Sequence, residues 1–248
     1  MPGPALCVFG KRINMSEILD VLRTEQKYDL SLSEMYTVIS RLNGMLTGDS
    51  HNSGGGYMVR SLYFDTVNDD DFYDKLDGLE IRRKIRLRIY DTGADFAKLE
   101  LKEKTGRNQR KRSLTLTREE AERLIRGDMD VLLDKADGFA DEMYCRMKQY
   151  CYIPKCIVQY YRTAYAEKVN DTRVTFDRDL RATAADFDLF DPNLMLYPVG
   201  LMLNCTMEVK FNNFLLSYVK EAVSVADKSQ LSASKYGISR NYLLGAAL

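Results

Sequence analysis

Apolar and polar residues alternate with period two through several stretches of the chain, and with helical spacing through others. One stretch reads Arg82, Arg83, Lys84, Ile85, Arg86, Leu87, Arg88, Ile89. Side chains of a β-strand point alternately to opposite faces. The run therefore predicts a strand over 81–91 with Arg82, Lys84, Arg86 and Arg88 on one face and Ile85, Leu87 and Ile89 on the other. The stretch 96–104 repeats the arrangement, with Lys98, Glu100, Lys102 and Lys104 alternating with Leu99 and Leu101. Asp91-Thr92-Gly93 between the two is a hairpin connection. Further strands are predicted at 25–28, 57–66, 111–117, 156–168, 172–177 and 206–211.

Helical spacing marks 13–24, with Ser16 as its cap, and 31–46, where Met35, Val38, Ile39 and Leu42 share a face. Asp69 to Leu76 reads as a helical turn. Thr117 and Glu120 have the spacing of a capping box, and helices run on from there towards Tyr152. Residues 214–226 read as an amphipathic helix, followed by a polar stretch from Ser232 to Tyr236. Seven or eight strands sharing one polar face predict an α+β fold: a closed antiparallel β-barrel with a charged interior and flanking helices.

The 248 residues suit one substantial domain. Residues 1–14 are expected to be a leader or disordered start, and 15–248 a single domain. Lys plus Arg and Asp plus Glu both number 36, so a general nucleic-acid footprint is not expected. The charge is segregated instead. Between Arg82 and Arg112, twelve Lys and Arg stand against four Asp and Glu, a net +8. Five cysteines at no metal-ligand spacing, no secretion signal and no run of apolar residues long enough to span a bilayer predict a reduced, soluble, cytoplasmic protein.

Adjacent cationic rows on one sheet face repel each other unless water or a polyanion neutralises them. The pattern therefore points to a ligand with many closely spaced negative charges. Other chemistries find little support. The one histidine, His51, lies in a Gly-rich loop over 44–56, and no nucleophile motif surrounds any serine. There is no Gly-x-x-x-x-Gly-Lys loop to hold a nucleotide.

Three segments carry a family resemblance: Arg60-Ser61-Leu62-Tyr63-Phe64-Asp65-Thr66, Tyr73-Asp74-Lys75-Leu76-Asp77-Gly78 and Arg82 to Tyr90. Others in the same order are Arg23 to Tyr28, Leu99-Glu100-Leu101-Lys102, Gln159-Tyr160-Tyr161-Arg162, Met207 to Phe211 and Ser234-Lys235-Tyr236. Together they resemble the VTC domain, the polyphosphate polymerase domain of vacuolar transporter chaperones, over roughly residues 20 to 240. The resemblance extends to stand-alone bacterial members and to the wider triphosphate tunnel metalloenzymes. It implies an eight-stranded antiparallel barrel forming a tunnel for tripolyphosphate or polyphosphate with Mn²⁺ or Mg²⁺.

The resemblance assigns phosphate-binding or catalytic roles to Lys27, Arg86, Arg88, Lys102, Arg162 and Lys235, with Lys84, Lys111 and Ser234 beside them, and a metal-binding role to Glu208. Arg forks grip phosphate oxygens at two points and Lys supplies a compact charge. Glu208 is alternatively an ion-pair partner, Glu25 either a ligand or an ion-pair partner, and Ser234 a cap or a phosphate contact. Glu100 is expected to pair with Lys98, Lys102 and Lys104, and Tyr63 and Tyr160 to be packing residues.

Two departures bear on activity. The superfamily favours Glu-x-Glu-x-Lys on its first strand, whereas this chain has Arg23-x-Glu25-x-Lys27. A basic residue expected three before Lys235 is Ser232. The implied function is transfer of the γ-phosphoryl group of ATP to a growing polyphosphate chain. A triphosphatase and a non-catalytic polyphosphate-binding module are the alternatives. No nucleic-acid partner and no membrane span are expected.

Overall fold

A computed structural model describes residues 23–52, 55–106, 108–200, 204–224 and 234–245. The expected leader over 1–14, most of the expected helix over 13–24, and Ser232 lie outside the described residues.

The first described element is β1 (Arg23–Ser31), so the strand expected at 25–28 is longer and takes in Arg23 and Thr24. Helix α1 (Leu32–Leu42) follows directly. Ser31 starts it through a capping box: the Glu34 amide donates to Ser31 Oγ at 3.3 Å, and the Ser31 amide donates to Glu34 Oε2 at 2.8 Å. A side-chain cap of this kind stabilises a helix by about 1 kcal/mol. Next come β2 (Thr47–Gly48), β3 (Tyr57–Thr66), α2 (Asp70–Leu76), β4 (Ile81–Ile89), β5 (Phe96–Thr105) and β6 (Asn108–Thr117).

Thr117 and Glu120 form the second capping box, opening α3 (Arg118–Ile125). A 3-10 helix (Met129–Lys135) and α4 (Gly138–Gln149) lead into β7 (Tyr152–Glu167) and β8 (Thr172–Thr183). The chain continues through β9 (Tyr197–Pro198), β10 (Asn204–Asn212), α5 (Ser217–Val223) and α6 (Lys235–Leu243). Helix α6 falls where the sequence suggested only a polar stretch. Ser234 caps it by accepting from the Gly237 amide at 3.2 Å.

All ten strands belong to one antiparallel sheet in the order β1-β10-β8-β7-β3-β4-β5-β6, with β2 added to β7 and β9 to β8. The expected eight long strands are present, but closure into a barrel is corrected: among the described residues no ladder joins β1 to β6. The outer edge strand β6 carries Gln109, Arg110, Lys111 and Arg112 in succession, and charged edges resist further strand pairing. The sheet is nevertheless deeply curled. Lys102 Nζ on β5 reaches to 3.5 Å from Glu25 on β1, so side chains bridge the gap that backbone hydrogen bonds leave.

The convex face is apolar and packs against helices in two clusters. Ile85, Leu87, Leu99 and Leu101 lie against Leu124, Leu132, Met143 and Met147. Val174, Phe176, Met207 and Val209 lie against Met35, Val38, Leu42 and Val219. Burying one such side chain fully contributes about 1.5–3 kcal/mol. The concave face is largely charged. Its apolar exception, Val59, Tyr63, Cys156, Val158 and Tyr160 on β3 and β7, is covered by Tyr236 of α6.

Candidate functional site

Register pairs in an antiparallel sheet share a face, so the pairings trace the concave surface strand by strand. Lys27 pairs with Glu208 and Glu25 with Lys210. Glu208 leads to Thr175, and Asp177 pairs with Arg162. Ser61 and Tyr63 pair with Arg88 and Arg86, Lys84 with Lys102, and Lys102 with Lys111. Residues from both halves of the chain thus meet on one surface, and α6 adds Lys235 and Ser234 to it.

Each cation is held by a specific partner. Arg86 donates from Nε to Glu100 at 2.6 Å and from a terminal nitrogen to the Tyr63 hydroxyl at 3.2 Å. Arg88 donates to Ser61 Oγ at 3.2 Å and to the Tyr160 hydroxyl at 3.4 Å. Lys111 closes on the other oxygen of Glu100. The partners expected for Glu100 on its own strand are corrected: it pairs across strands with Arg86, Lys111 and, at 3.9 Å, Arg88. Same-face residues on one strand stand about 7 Å apart, farther than residues directly opposite on a neighbouring strand. Burial pushes the Glu100 carboxyl up, but Arg86, Arg88 and Lys111 together bring it down to about 2, so it stays ionised.

The opposite wall is organised by Asp177, whose side chain is 1% exposed. Arg162 donates to both its oxygens, at 2.7 and 2.8 Å, and Lys235 Nζ sits 2.6 Å from Oδ2 and over the Tyr160 ring. Burial alone would raise the Asp177 pKa; Lys235 and Arg162 hold it far below the usual carboxylate range. Gly56 permits the close approach of β3 to this wall: its φ is +123°, and a Cβ there would lie 2.6 Å from the Arg162 carbonyl oxygen.

Between the walls, Lys27 lies 3.0 Å from Glu25 and 3.8 Å from Glu208, and Lys210 contacts both carboxylates. Lys84 Nζ donates to Ser234 Oγ at 2.6 Å, joining β4 to the start of α6. Ser234 is therefore a cap that also faces the basic cluster. Burial, then Lys27, Lys102, Lys75 and Arg86, push the Lys84 ammonium down to about 7.

The structure brings together all ten residues singled out from the sequence: Lys27, Lys84, Arg86, Arg88, Lys102, Lys111, Arg162, Glu208, Ser234 and Lys235. It adds Asp177 and Lys210, and it gives Tyr63 and Tyr160 a polar task, since their hydroxyls accept from the arginines. Nine cations (the eight in that set, with Lys210) face four carboxylates (Glu25, Glu100, Asp177, Glu208). Such an imbalance in a concave, partly desolvated surface concentrates a positive potential.

A divalent cation would find few protein ligands here. No group of three or more His, Cys, Asp or Glu side chains suited to a metal occurs among the described residues. Glu25 and Glu208 both take part in the lysine network, yet a two-carboxylate site fits a hard cation that draws its remaining ligands from phosphate oxygens and water.

A family model for the VTC domain matches residues 22–244. No curated protein matches the chain. Among solved structures, a Bacillus halodurans protein titled a "putative adenylate cyclase" is 12% identical, with 86% of this chain and 94% of that chain covered at a TM-score of 0.50. The PH1012 protein from Pyrococcus horikoshii is 10% identical, with 87% and 98% covered at a TM-score of 0.44. The first of these is a likeness of fold. No helix among the described residues is long and apolar enough to cross a membrane.

Proposed function

The chain belongs to the VTC domain family, and from that premise we propose that it is a metal-dependent polyphosphate polymerase that transfers the γ-phosphoryl group of ATP to a growing phosphate chain. The curled sheet is the tunnel in which the transfer takes place. The observation that carries this reading is the convergence of nine cations from β1, β4, β5, β6, β7, β10 and α6 on one concave face, where among the described residues Glu25, Glu100, Asp177 and Glu208 are the carboxylates paired with them.

Phosphoryl transfer is catalysed mainly by positioning and charge neutralisation. Arg86 and Arg88 grip the transferred group from β4, while Arg162 and Lys235 face it from the opposite wall. Lys27, Lys84, Lys102 and Lys111 line the path of the chain, and Ser234 adds a hydroxyl beside Lys84. The terminal oxygen of the acceptor chain is already anionic, so it attacks the γ-phosphorus without a base. The bond from the γ-phosphorus to its bridging oxygen breaks, and ADP leaves with the electron pair. Glu208, with Glu25 beside it, would hold Mn²⁺ or Mg²⁺ together with substrate oxygens, and the bound ion supplies charge neutralisation at the transferring phosphate.

Incubation with ATP and Mn²⁺, followed by electrophoresis, tests the reading. A ladder of long phosphate chains is expected. ADP with orthophosphate alone would make the protein a triphosphatase. Cyclic AMP with pyrophosphate would give it the activity named for its Bacillus neighbour. Intact ATP alongside polyphosphate binding would leave a binding module.

Glu208→Gln is expected to lower metal-dependent turnover by about a hundredfold or more, since a metal's charge stabilisation amounts to several kcal/mol. Tripolyphosphate binding without metal should be retained or tightened, because a negative charge has left the site. Calorimetry should also find divalent cations weakly bound without phosphate and more tightly with it, as the lysines around Glu208 repel a lone cation.

Lys84 makes binding pH-dependent. Its pKa in the folded protein, about 7, lies below its ordinary 10.5. The unfolded chain therefore binds more protons between those values, and this group's contribution to stability rises with pH across that window. A phosphate placed beside it favours the ammonium and raises the pKa. Tripolyphosphate binding at pH 8 should therefore take up more protons in the wild type than in Lys84→Met, read by calorimetry in buffers of different ionisation enthalpy. Equal uptake in both would place the ligand away from Lys84.

A further inference from the structure

We propose that an arginine-lined groove at the outer end of β4, β5 and β6 is a second phosphate-chain site, which holds the part of a polyphosphate that extends beyond the trough. The inference rests on the polymerase reading above and specifies where a long chain runs.

The groove has a volume of about 390 Å³ and is lined by Arg82, Arg83, Asn108, Gln109, Arg110 and Arg146, among others. Glu103 is the acid among its lining residues, and it is already shared between Arg112 at 3.0 Å and Arg146 at 3.4 Å. Some of these arginines serve the fold. Arg83 lies 3.4 Å from the buried Asp71 and stands over the Tyr150 ring, and Arg146 pairs with Glu142 at 3.1 Å. Arg82 and Arg110 have no such duty: neither makes an ion pair with a described residue. Arg82 and Arg110 thus add positive charge that no described acid neutralises to a cavity whose other arginines are already paired, and a polyanion relieves the resulting repulsion.

The groove also lies in line with the trough. Arg82 is the last member of the row Arg88, Arg86, Lys84, Arg82 on one face of β4. Arg86 and Arg82 are four positions apart on the strand, about 13 Å. The interval is bridged by cations. Lys75 of α2 is close enough to Arg82, Lys104 and Lys27 for them, after burial, to lower its pKa, and Lys75 in turn acts on Lys84. Gln109 pairs with Lys104 on the concave face, whereas Arg83 pairs with Glu103 on the other. The lining thus turns around the ends of the strands from inside to outside. A chain emerging past Lys84 passes Lys75, Lys104 and Arg82 before it enters the groove.

The test uses the full chain without metal and two probes, tripolyphosphate and a polyphosphate of many tens of units. Arg82→Ala combined with Arg110→Ala removes the two arginines that make no ion pair, and Arg110→Glu serves as a second variant at an exposed position. Tripolyphosphate affinity is expected to stay within about twofold of wild type in both, whereas long-chain affinity falls about tenfold or more at low salt, the gap narrowing as salt rises. Unchanged long-chain affinity, or an equal loss for both probes, overturns the proposal.

The same titrations separate this idea from the reading of the trough. Wild-type protein that binds long chains but not tripolyphosphate refutes the trough, and a tenfold loss in the variants then still supports the groove. Wild-type protein that binds neither probe refutes both.

Discussion

Replacing Arg86 and Arg88 together by alanine is expected to weaken tripolyphosphate binding at least about a hundredfold. Each guanidinium is held in place by a neighbour. Glu100 and Tyr63 fix Arg86, and Ser61 and Tyr160 fix Arg88. Preorganised donors of this kind lose little entropy when a phosphate arrives. A hydrogen bond to a charged group contributes about 1.5–3 kcal/mol, so two lost grips amount to about 3–6 kcal/mol, a hundredfold or more. The same substitution strips the buried Glu100 of two of its three cationic partners, which destabilises the fold by itself. Adding Glu100→Gln removes the stranded carboxylate. The triple variant should recover thermal stability and still fail to bind. If it folds and binds tripolyphosphate as the wild type does, the β4 arginines are not the grip.

The sequence showed the basic rows because period-two alternation is a local property: Arg86 and Leu87 point apart whatever else the chain does. The capping box at Thr117 is equally legible, since donor and acceptor lie three residues apart. What it concealed depends on distance along the chain. Asp177 is the last residue of the strand expected at 172–177 and gains meaning only when Arg162 and Lys235, one from a neighbouring strand and one from α6, converge on it. The sequence marks Glu100 as an ion-pair partner, but spacing along one strand points to Lys98, Lys102 and Lys104 and cannot reveal the neighbours across strands that Glu100 meets. Helix α6 was hidden by its short, polar opening, and most of what holds it lies far away in sequence: Asp65 accepts from the Tyr236 hydroxyl at 2.6 Å, and Asp69 is contacted by Arg240 at 2.9 Å. Strand number suggests a closed barrel, yet pairing of edge strands depends on three-dimensional curl, and among the described residues the Lys102–Glu25 ion pair rather than a ladder spans the gap.

Asp177→Asn is expected to lower the melting temperature by about 6–20 °C in the absence of phosphate, and tripolyphosphate should restore much of the loss. Breaking a buried ion pair at one partner costs about 3–5 kcal/mol, because the remaining charge stays buried without a counterion. A domain of this size loses about 2–4 °C per kcal/mol. Asparagine keeps the shape and one acceptor oxygen, but it leaves Arg162 and Lys235 facing each other without a negative charge. A bound phosphate chain supplies that charge. Ligand stabilisation, which grows with concentration over Kd, should therefore be larger in the variant than in the wild type.

The pH dependence follows with a definite sign. The folded-state pKa of Asp177 lies far below the ordinary value, so its contribution is fully present above about pH 4 and is lost as pH falls further. The stability gap between wild type and Asp177→Asn should therefore be widest near neutrality and shrink in acid. A variant that melts within about 2 °C of wild type, or that gains no more from tripolyphosphate than wild type does, would show that Arg162 and Lys235 are held by something other than this carboxylate.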